Sequence, residues 1–298
     1  MNDAFTIEQK SDHIIGRFAA MASPCELLIE TQDPLLANHL TSLTYKESRR
    51  IEQKFSRYLP NNLMANINHS MGKAVAIDDE TFRLLEFANS CFELSDGMFD
   101  ITSGVLRKAW KFDGSDNLPT PDAVKVLMTH IGWRKVKYTQ SSITLAKGME
   151  LDFGGIGKEY AVDCVAKLCA ESAPITSIVV NFGGDIQVTR PRPNKQPWHI
   201  GIENPEDDDK STTKVLKIVS GGLATSGDAR RYLLKDGKRY SHILNPETGY
   251  PTETAARSVT VAAPHCIQAG LLATMALLKG PNADVFLEQQ DVKFWCYR

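Results

Sequence analysis

Predicted helices and predicted strands occupy different parts of this chain, and this separation is the strongest constraint on its fold. Helical periodicity predicts a long amphipathic helix from Pro34 to about Tyr58, a second over about 79–95 and a third from Pro121 to about 131. Segments rich in branched residues predict strands at 23–31, 177–182, 198–203, 215–220 and 258–263. Because strands and helices do not alternate regularly, the sequence predicts an α+β fold rather than repeated βαβ units.

The composition supports a sizeable core and gives no reason to expect a nucleic-acid or membrane partner. The chain has 298 residues, 42% of them hydrophobic. Its 34 basic and 36 acidic residues leave no positive excess for nucleic acid or an anionic membrane. The longest apolar stretch, 269–278, is too short to cross a bilayer. We expect residues 1–20 to form an N-terminal extension or first strand, and residues 21–298 to form one domain.

The six cysteines and the N-terminal sequence predict a cytoplasmic protein. The cysteines, at 25, 91, 164, 169, 266 and 296, show neither a CxxC motif nor a zinc-ligand spacing, which favours reduced structural thiols. The N-terminal residues contain no basic segment leading into an apolar one, so we expect no cleaved secretory signal. The acidic run at 206–210 is interpreted as a solvated loop.

The segment LDFGGIGKEYAVDCVAKL (151–168) joins an apolar strand end and a glycine-rich turn to a predicted helix. The glycines allow backbone N–H groups to approach an anion, and the helix N-terminus adds partial positive charge. Lys158 falls in the first helical turn, where it could reach a phosphate. The Walker spacing is absent, because Gly154 and Lys158 are too close in sequence and Glu159 replaces the Ser or Thr. On this segment alone, a phosphate-binding turn and a turn shaped only by packing are equally compatible.

A second polar segment spans LATSGDARRYLLKDGKRYSHILNPETGYP (223–251). Thr225, Ser226 and Asp228 lie in a small polar turn, and the Asp-Gly pair at 236–237 predicts a hairpin. His242 follows on a strand that enters a turn rich in Pro and Gly. A lone histidine is more often structural than catalytic, but the density of polar residues here favours a functional role.

Eight segments follow one another along the chain: MASPCEL, FSRYLPNN, LSDGMFDITSGVL, LDFGGIGKEYAVD, VVNFGGDI, ATSGDARRY, YSHILNPETGYP and ATMALLKG. Together they resemble the ApbE family of flavin transferases from about residue 21 to residue 280. The resemblance implies an ApbE-like domain whose sheets and helices surround a flavin-binding cleft. Such proteins bind FAD with Mg²⁺ on its pyrophosphate, transfer FMN to a Ser or Thr of an acceptor protein, and release AMP.

The resemblance also implies roles for individual residues. It places His242 at the reacting centre as a base for the acceptor hydroxyl, with Asp228 as a rival, and gives Lys158 a part in stabilising charge. It gives the metal the backbone carbonyl of Gly155 and the hydroxyl of Thr274. Tyr58 and Phe99 offer flat faces for a flavin or adenine ring. The residues expected to contact FAD are Met21, Tyr58, Met98, Phe99, Asp100, Asp152, Lys158, Thr225 and Ser226.

Gly270 interrupts the helix predicted over 266–280, where glycine costs about 1 kcal/mol relative to alanine. In the family pattern this helix reads A-D-A-L-A-T, so that an aspartate and a threonine four residues apart share one face and can hold one cation. Here Thr274 is kept and Gly270 replaces the aspartate. The sequence contains no acidic residue between Glu253 and Asp284, so this helix itself offers no shifted carboxylate.

Three explanations of Gly270 are open from the sequence. The ion could bind through the phosphates of FAD or another carboxylate such as Asp185 or Asp228; the protein could bind FAD without processing it; or the glycine could be introduced to trap substrate. Two further departures, Glu159 for the usual Gly and Asn245 for the usual Asp, are interpreted as affecting acceptor recognition.

The sequence therefore predicts a metal-assisted FAD:protein FMN transferase that acts on an acceptor flavoprotein, such as a soluble reductase. The alternatives are a non-catalytic FAD-binding protein, an FAD pyrophosphatase that yields FMN and AMP, and a structural protein that has lost the ligand.

Overall fold

A computed structural model describes residues 4–203, 212–228, 232–252 and 256–298. Its strands are β1 (Thr6–Gln9), β2 (Ile14–Ala20), β3 (Ser23–Ile29), β4 (Val75–Ala76), β5 (Lys137–Tyr138), β6 (Ser142–Thr144), β7 (Ile178–Phe182), β8 (Asp185–Val188), β9 (Trp198–Glu203), β10 (Thr212–Ile218), β11 (Gly221–Gly227), β12 (Tyr232–Lys235), β13 (Lys238–Ser241), β14 (Ser258–Ala263) and β15 (Lys293–Tyr297). Its α-helices are α1 (Pro34–Phe55), α2 (Leu63–Asn68), α3 (Asp79–Leu94), α4 (Pro121–Met128), α5 (Gly157–Ser172), α6 (Cys266–Leu278) and α7 (Ala283–Glu288). Short 3₁₀ turns lie at Ser103–Lys108, Trp133–Lys135, Pro193–Lys195 and Gly280–Asn282.

An eight-stranded sheet forms the centre of the fold, in the order β1-β2-β3-β7-β8-β11-β14-β15. Every pairing described in it is antiparallel. The segment before Met21 supplies β1 and β2, which form one end of this sheet. The helices and antiparallel sheets confirm the α+β class.

Helices α1, α5 and α6 cover one face of this sheet. They pack on β2, on β7 and β8, and on β11 and β14 respectively. A glycine allows α6 to approach closely, because a Cβ on Gly222 of β11 would collide with the backbone of Cys266 at the start of α6. The position of α6 relative to the central sheet is therefore fixed at its first residue.

The opposite face is covered by the β9–β10 hairpin, whose Trp198, Ile202 and Leu216 pack with Val179, Ile186 and Val188 of the sheet. A separate hydrophobic cluster joins the 3₁₀ turn at 103–108 and α4 to Leu233, Tyr240 and Leu244 in the segment that carries His242. The β12–β13 hairpin turns through Asp236 and Gly237, both with positive φ, as the Asp-Gly pair predicted.

The structure confirms most predicted elements and shifts several ends. The helix beginning at Pro121 ends at Met128 rather than near 131, and the strand predicted over 215–220 runs from Thr212 to Ile218. Helix α6 begins at Cys266 and ends at Leu278, so that Pro264 precedes the helix and Gly280 belongs to the following 3₁₀ turn. The acidic run at 206–210 and the arginines at 230–231 lie outside the described residues. Within the described part of the chain, no helix is both long and apolar enough to span a membrane.

Candidate functional site

The glycine-rich turn at 153–156 leads directly into α5, and the N-terminus of this helix has no side-chain cap in the described part of the chain. Asp152 accepts a hydrogen bond from the Gly154 N–H at 2.8 Å, which shapes the turn. Among the described residues, no side chain caps the helix at Ile156. The first N–H groups of a helix lack intrahelical partners and carry partial positive charge, so this end of α5 suits an anionic group.

Lys158, in the first turn of α5, forms an ion pair with Asp185 at the start of β8, with Nζ and Oδ2 2.7 Å apart. Burial alone would lower the pKa of Lys158, but the charge of Asp185 and the hydrogen bond to it outweigh burial and raise the pKa. Burial raises the pKa of Asp185, and Lys158 and the Thr225 N–H offset this only in part. The pair therefore ties the α5 N-terminus to the strands β8 and β11.

Helices α5 and α6 are held side by side in an antiparallel register by Asp163. Its two carboxylate oxygens accept hydrogen bonds from the Cys266 N–H at 3.0 Å and the Ile267 N–H at 2.9 Å, so that α5 caps α6. One turn back along α5 and one turn forward along α6, Glu159 lies against Gly270. Gly155 lies two residues before α5, and Thr274 lies one turn beyond Gly270 on α6; that the two residues meet at a metal stays a prediction.

The hydroxyl of Thr274 lies 2.8 Å from that of Ser226 on β11. The neighbouring Thr225 places its hydroxyl 2.8 Å from that of Thr260 on β14, so Thr225 and Ser226 face different partners. Ser226 and Thr274 thus form a hydroxyl pair between β11 and α6, beside the helix face that carries Gly270.

Glu159 is buried between α5 and α6, with 8% of its surface exposed. Its Oε2 has no hydrogen-bond partner among the described residues. Burial, followed by the charge of Asp185, raises the pKa of Glu159. A protein docking on the surface would not contact this buried side chain directly, and an effect of Glu159 on acceptor recognition stays a prediction.

These oxygen atoms fit a hard divalent cation. Carboxylate, hydroxyl and carbonyl oxygens are the donors that Mg²⁺ prefers, and it commonly completes its coordination with substrate phosphates and water. The Oε2 atom of Glu159, which has no hydrogen-bond partner among the described residues, is available as a metal ligand. Within the described ranges, no group of three or more His, Cys, Asp or Glu residues could hold a metal ion.

Asp152 and Tyr58 are joined through Arg57, a residue that the sequence analysis did not select. Arg57 is paired with Asp152, and its Nη2 donates a hydrogen bond to the Tyr58 hydroxyl at 2.9 Å. The guanidinium carbon lies 4.9 Å from the Tyr58 ring centroid. Tyr58 is 72% exposed, so its ring is available at the surface beside the glycine-rich turn.

The other residues expected to contact FAD are mostly buried or hydrogen-bonded within the protein. Phe99 is buried, and a Cβ on Gly155 would lie 3.0 Å from its ring, so the phenyl group supports the glycine-rich turn. Asp100 accepts hydrogen bonds from the N–H groups of Thr102 at 2.7 Å and Trp133 at 2.9 Å. Met98, which is partly buried, directly precedes this pair.

Met21 occupies the two-residue turn between β2 and β3 with a positive φ of 52°. Its N–H donates to Glu52 of α1 at 2.9 Å, which holds this uncommon backbone conformation in place. Direct contact of Met21 or Met98 with FAD stays a prediction.

Asp228 is buried and forms ion pairs with two arginines. Its Oδ1 accepts from Nε of Arg257 at 2.9 Å, and Nε of Arg239 lies 3.5 Å from its Oδ2. Two guanidinium groups at one carboxylate favour a structural role over that of a proton acceptor.

His242 follows β13 directly and is partly buried. Its ring centroid lies 6.3 Å from that of Phe112, which in turn stacks on Trp110 at 5.7 Å. The Trp110 indole donates to the Gly249 carbonyl at 2.9 Å, so the aromatic cluster fixes the turn that follows His242.

The structure therefore brings Lys158, Asp185, Ser226 and Thr274 together with Glu159, whereas His242 belongs to a separate cluster. Helical periodicity could have placed Glu159 in the interior, because it shares the buried face of α5 with Val162, Ala166 and Cys169. The capping role of Asp163 depends on residues about a hundred positions away and leaves no local signal.

Comparison with known proteins shows the family of this chain. The model of the ApbE family matches residues 21–295. The chain is 30% identical to an FAD:protein FMN transferase of Vibrio cholerae over 258 residues, covering 84% of this chain and 76% of that protein. It is 31% identical to an FAD:protein FMN transferase of Treponema pallidum over 248 residues, covering 77% of this chain and 68% of that protein.

Solved structures show the same fold. The ApbE protein of Thermotoga maritima superposes with a TM-score of 0.86 at 27% identity, covering 98% of this chain and 94% of that one. The flavin transferase ApbE of Vibrio cholerae superposes with a TM-score of 0.81 at 25% identity, with the same coverage of the two chains.

Proposed function

This chain belongs to the ApbE family, and on that premise we propose that it is an FAD:protein FMN transferase. The observation that carries the proposal is the meeting of the α5 N-terminus with α6 and β11. Lys158 is tied to Asp185, Glu159 lies against Gly270, and Ser226 contacts Thr274. These contacts support the proposal, because positive charge and helix N–H groups suit a diphosphate, and the neighbouring oxygen atoms suit a cation bound to it.

In this proposal, the diphosphate of FAD binds at the N-terminus of α5. The N–H groups of its first turn and the Lys158 ammonium face the phosphate oxygens, while Tyr58 offers its exposed ring to the flavin or adenine. The Arg57–Asp152 pair holds Tyr58 beside the glycine-rich turn. We also propose that FAD contacts four residues that support this region of the fold: Met21, Met98, Phe99 and Asp100.

The metal of the proposal is Mg²⁺. The residues that would hold it are the Gly155 carbonyl, the Thr274 hydroxyl and a carboxylate of the adjoining cluster. A bound divalent cation neutralises charge on phosphoryl oxygens as it builds up in transfer. Lys158 would share this charge stabilisation, because its ammonium lies at the same helix end.

The transfer itself converts a phosphoanhydride bond of FAD into a phosphodiester on the acceptor. The acceptor Ser or Thr oxygen attacks the phosphorus of the FMN half of FAD and forms a new P–O bond. The P–O bond of the diphosphate bridge breaks, and AMP leaves with the bridging oxygen. The hydroxyl proton passes to a base, for which His242 is better suited than Asp228, since the Asp228 carboxylate already pairs with Arg257 and Arg239.

The alternatives differ in what reacts with FAD. An FAD pyrophosphatase would use water in place of the acceptor hydroxyl and release FMN and AMP. A non-catalytic binding protein would retain FAD intact, which is the outcome expected if Gly270 left the site without a carboxylate. The burial of Glu159 against Gly270 favours a catalytic protein, since a carboxylate is still present at this point of the site.

Incubation of the purified protein with FAD and Mg²⁺, with and without a candidate acceptor reductase, separates these functions. A transferase gives stoichiometric AMP and an acceptor whose mass rises by FMN less water. AMP and FMN released without an acceptor adduct would indicate the pyrophosphatase, and intact bound FAD would indicate the binding protein. A Lys158→Ala variant should lose transfer, whereas a change at the exposed Lys167, on the same helix, should not.

A further inference from the structure

We infer that Glu159 of α5 supplies the carboxylate ligand that α6 lacks at Gly270, so that the divalent cation is held from the opposite helix. The inference rests on the proposed function, because the cation would serve the FAD diphosphate. It assigns a specific residue to a site for which the sequence alone had left open the phosphates of FAD or another carboxylate such as Asp185 or Asp228.

The first support is the space beside Gly270. A Cβ built on Gly270 would lie 2.7 Å from Cγ, 2.8 Å from Oε1 and 3.0 Å from Cδ of Glu159. Separations below 3 Å are shorter than real Cβ contacts, so the Glu159 side chain occupies the volume into which a residue at position 270 would project. The carboxylate of Glu159 therefore lies on the face of α6 that also bears Thr274, one turn further along.

The second support is the distribution of hydrogen bonds over the two carboxylates. Asp185 is paired with Lys158 at 2.7 Å and also receives the Thr225 N–H. Glu159 is as deeply buried, but its Oε2 has no hydrogen-bond partner in the part of the chain that the structure describes. A buried carboxylate oxygen without a partner is costly, and a cation that it coordinates would remove that cost.

The third support is the pairing of two departures from the family pattern. That pattern, as the resemblance implies it, has glycine where this chain has Glu159 and aspartate where it has Gly270. The structure shows that these positions face each other across the α5–α6 interface. The chain has therefore exchanged a carboxylate and a glycine between neighbouring helices, which keeps both the charge and roughly the volume of the interface.

The direct test is the affinity for Mn²⁺, measured by loss of the free-ion electron paramagnetic resonance signal in the presence of FAD. Glu159→Gln keeps the size of the side chain but weakens metal ligation, and it should lower Mn²⁺ affinity by at least about tenfold. Glu171→Gln is the matched control, because Glu171 is an exposed glutamate at the far end of the same helix, and its affinity should equal that of the wild type. Gly270→Ala should also weaken binding, since its Cβ displaces the Glu159 carboxylate.

The double variant Glu159→Gly, Gly270→Asp tests the exchange. Returning the carboxylate to α6 should restore the Mn²⁺ affinity that Glu159→Gly alone removes. Unchanged affinity in Glu159→Gln, or no Mn²⁺ binding by the wild type, would overturn the assignment, and absence of recovery in the double variant would overturn the exchange. These readouts do not depend on turnover: if the wild type neither transferred FMN nor released AMP, the proposed function would fail while a Glu159-dependent metal site remained.

Discussion

Glu159 of α5 and Gly270 of α6 fit together as a large residue beside a small one, with the Glu159 carboxylate filling the space beside the glycine. The glycine in the body of a buried helix thereby has a structural reason. With Glu159 in this position, glycine fits residue 270, since any side chain there would force Glu159 to move.

Substitution of Gly270 should change stability in opposite directions in two backgrounds. In the wild type, Gly270→Ala gains about 1 kcal/mol of helix propensity but loses ~1–3 kcal/mol to overpacking against Glu159, for a net loss of up to ~2 kcal/mol. With Glu159→Gly already present, the same change should stabilise the protein by about 1 kcal/mol. Urea unfolding of the four proteins measures this coupling, and equal effects in both backgrounds would show that the residues do not compete for space.

Removal of the Asp163 carboxylate should destabilise the start of α6. Asp163→Ala leaves the N–H groups of Cys266 and Ile267 without their acceptor, and we expect a loss of about 1–2 kcal/mol. Asp163→Asn keeps one acceptor oxygen and should lose less. Thermal or urea unfolding measures the effect, with Glu171→Ala as the control; a loss no larger than in the control would argue against the cap.

Tyr58 should contribute to FAD affinity and little to stability. The ring is exposed and held by Arg57, so Tyr58→Ala should weaken FAD binding by about 1 kcal/mol, roughly fivefold, through the loss of ring stacking. Tyr58→Phe keeps the ring and should bind nearly as the wild type does. Quenching of FAD fluorescence on titration gives both affinities; equal binding by the alanine variant would remove Tyr58 from the flavin site.

Acid should destabilise the wild type through Glu80 of α3. Burial alone would raise the pKa of Glu80, but hydrogen bonds from Arg50, Lys54 and the Tyr160 hydroxyl outweigh burial and lower it to about 2. Because the folded pKa lies below the ordinary value of 4.5, the stabilisation is present above pH 4.5 and is lost as the pH falls towards 2.

Glu80→Gln should therefore lower stability at neutral pH and make it less dependent on pH over this acid range. Urea midpoints measured across that range test the expectation, with the exposed Glu86→Gln on the same helix as control. A variant whose midpoint falls with acid as steeply as that of the wild type would contradict it.

The sequence predicted the elements whose signals are local. Periodicity and turn residues located α1, α3, α5 and the β12–β13 hairpin, and the family motifs selected Lys158 and Thr274, which the structure places on neighbouring helices. The class and the family were therefore accessible without coordinates.

The remaining features depend on contacts between distant parts of the chain. Arg57 pairs with Asp152, and Asp163 caps a helix that begins at Cys266, so neither role is visible in a local window. Strands such as β8 and β11 are short or rich in glycine, and their pairing is set by the sheet rather than by their own propensity. The contact of Glu159 with Gly270 likewise depends on the opposite helix, although the periodicity of α5 already places Glu159 on its buried face.

The most direct test of the account is the position of a divalent cation in crystals soaked with FAD and Mn²⁺, located from the anomalous scattering of manganese. We expect one peak between the FAD diphosphate and α6, with a Glu159 carboxylate oxygen roughly 2 Å from the ion and the Lys158 ammonium facing the phosphates. A peak coordinated by other carboxylates, or FAD bound away from the α5 N-terminus, would contradict the account.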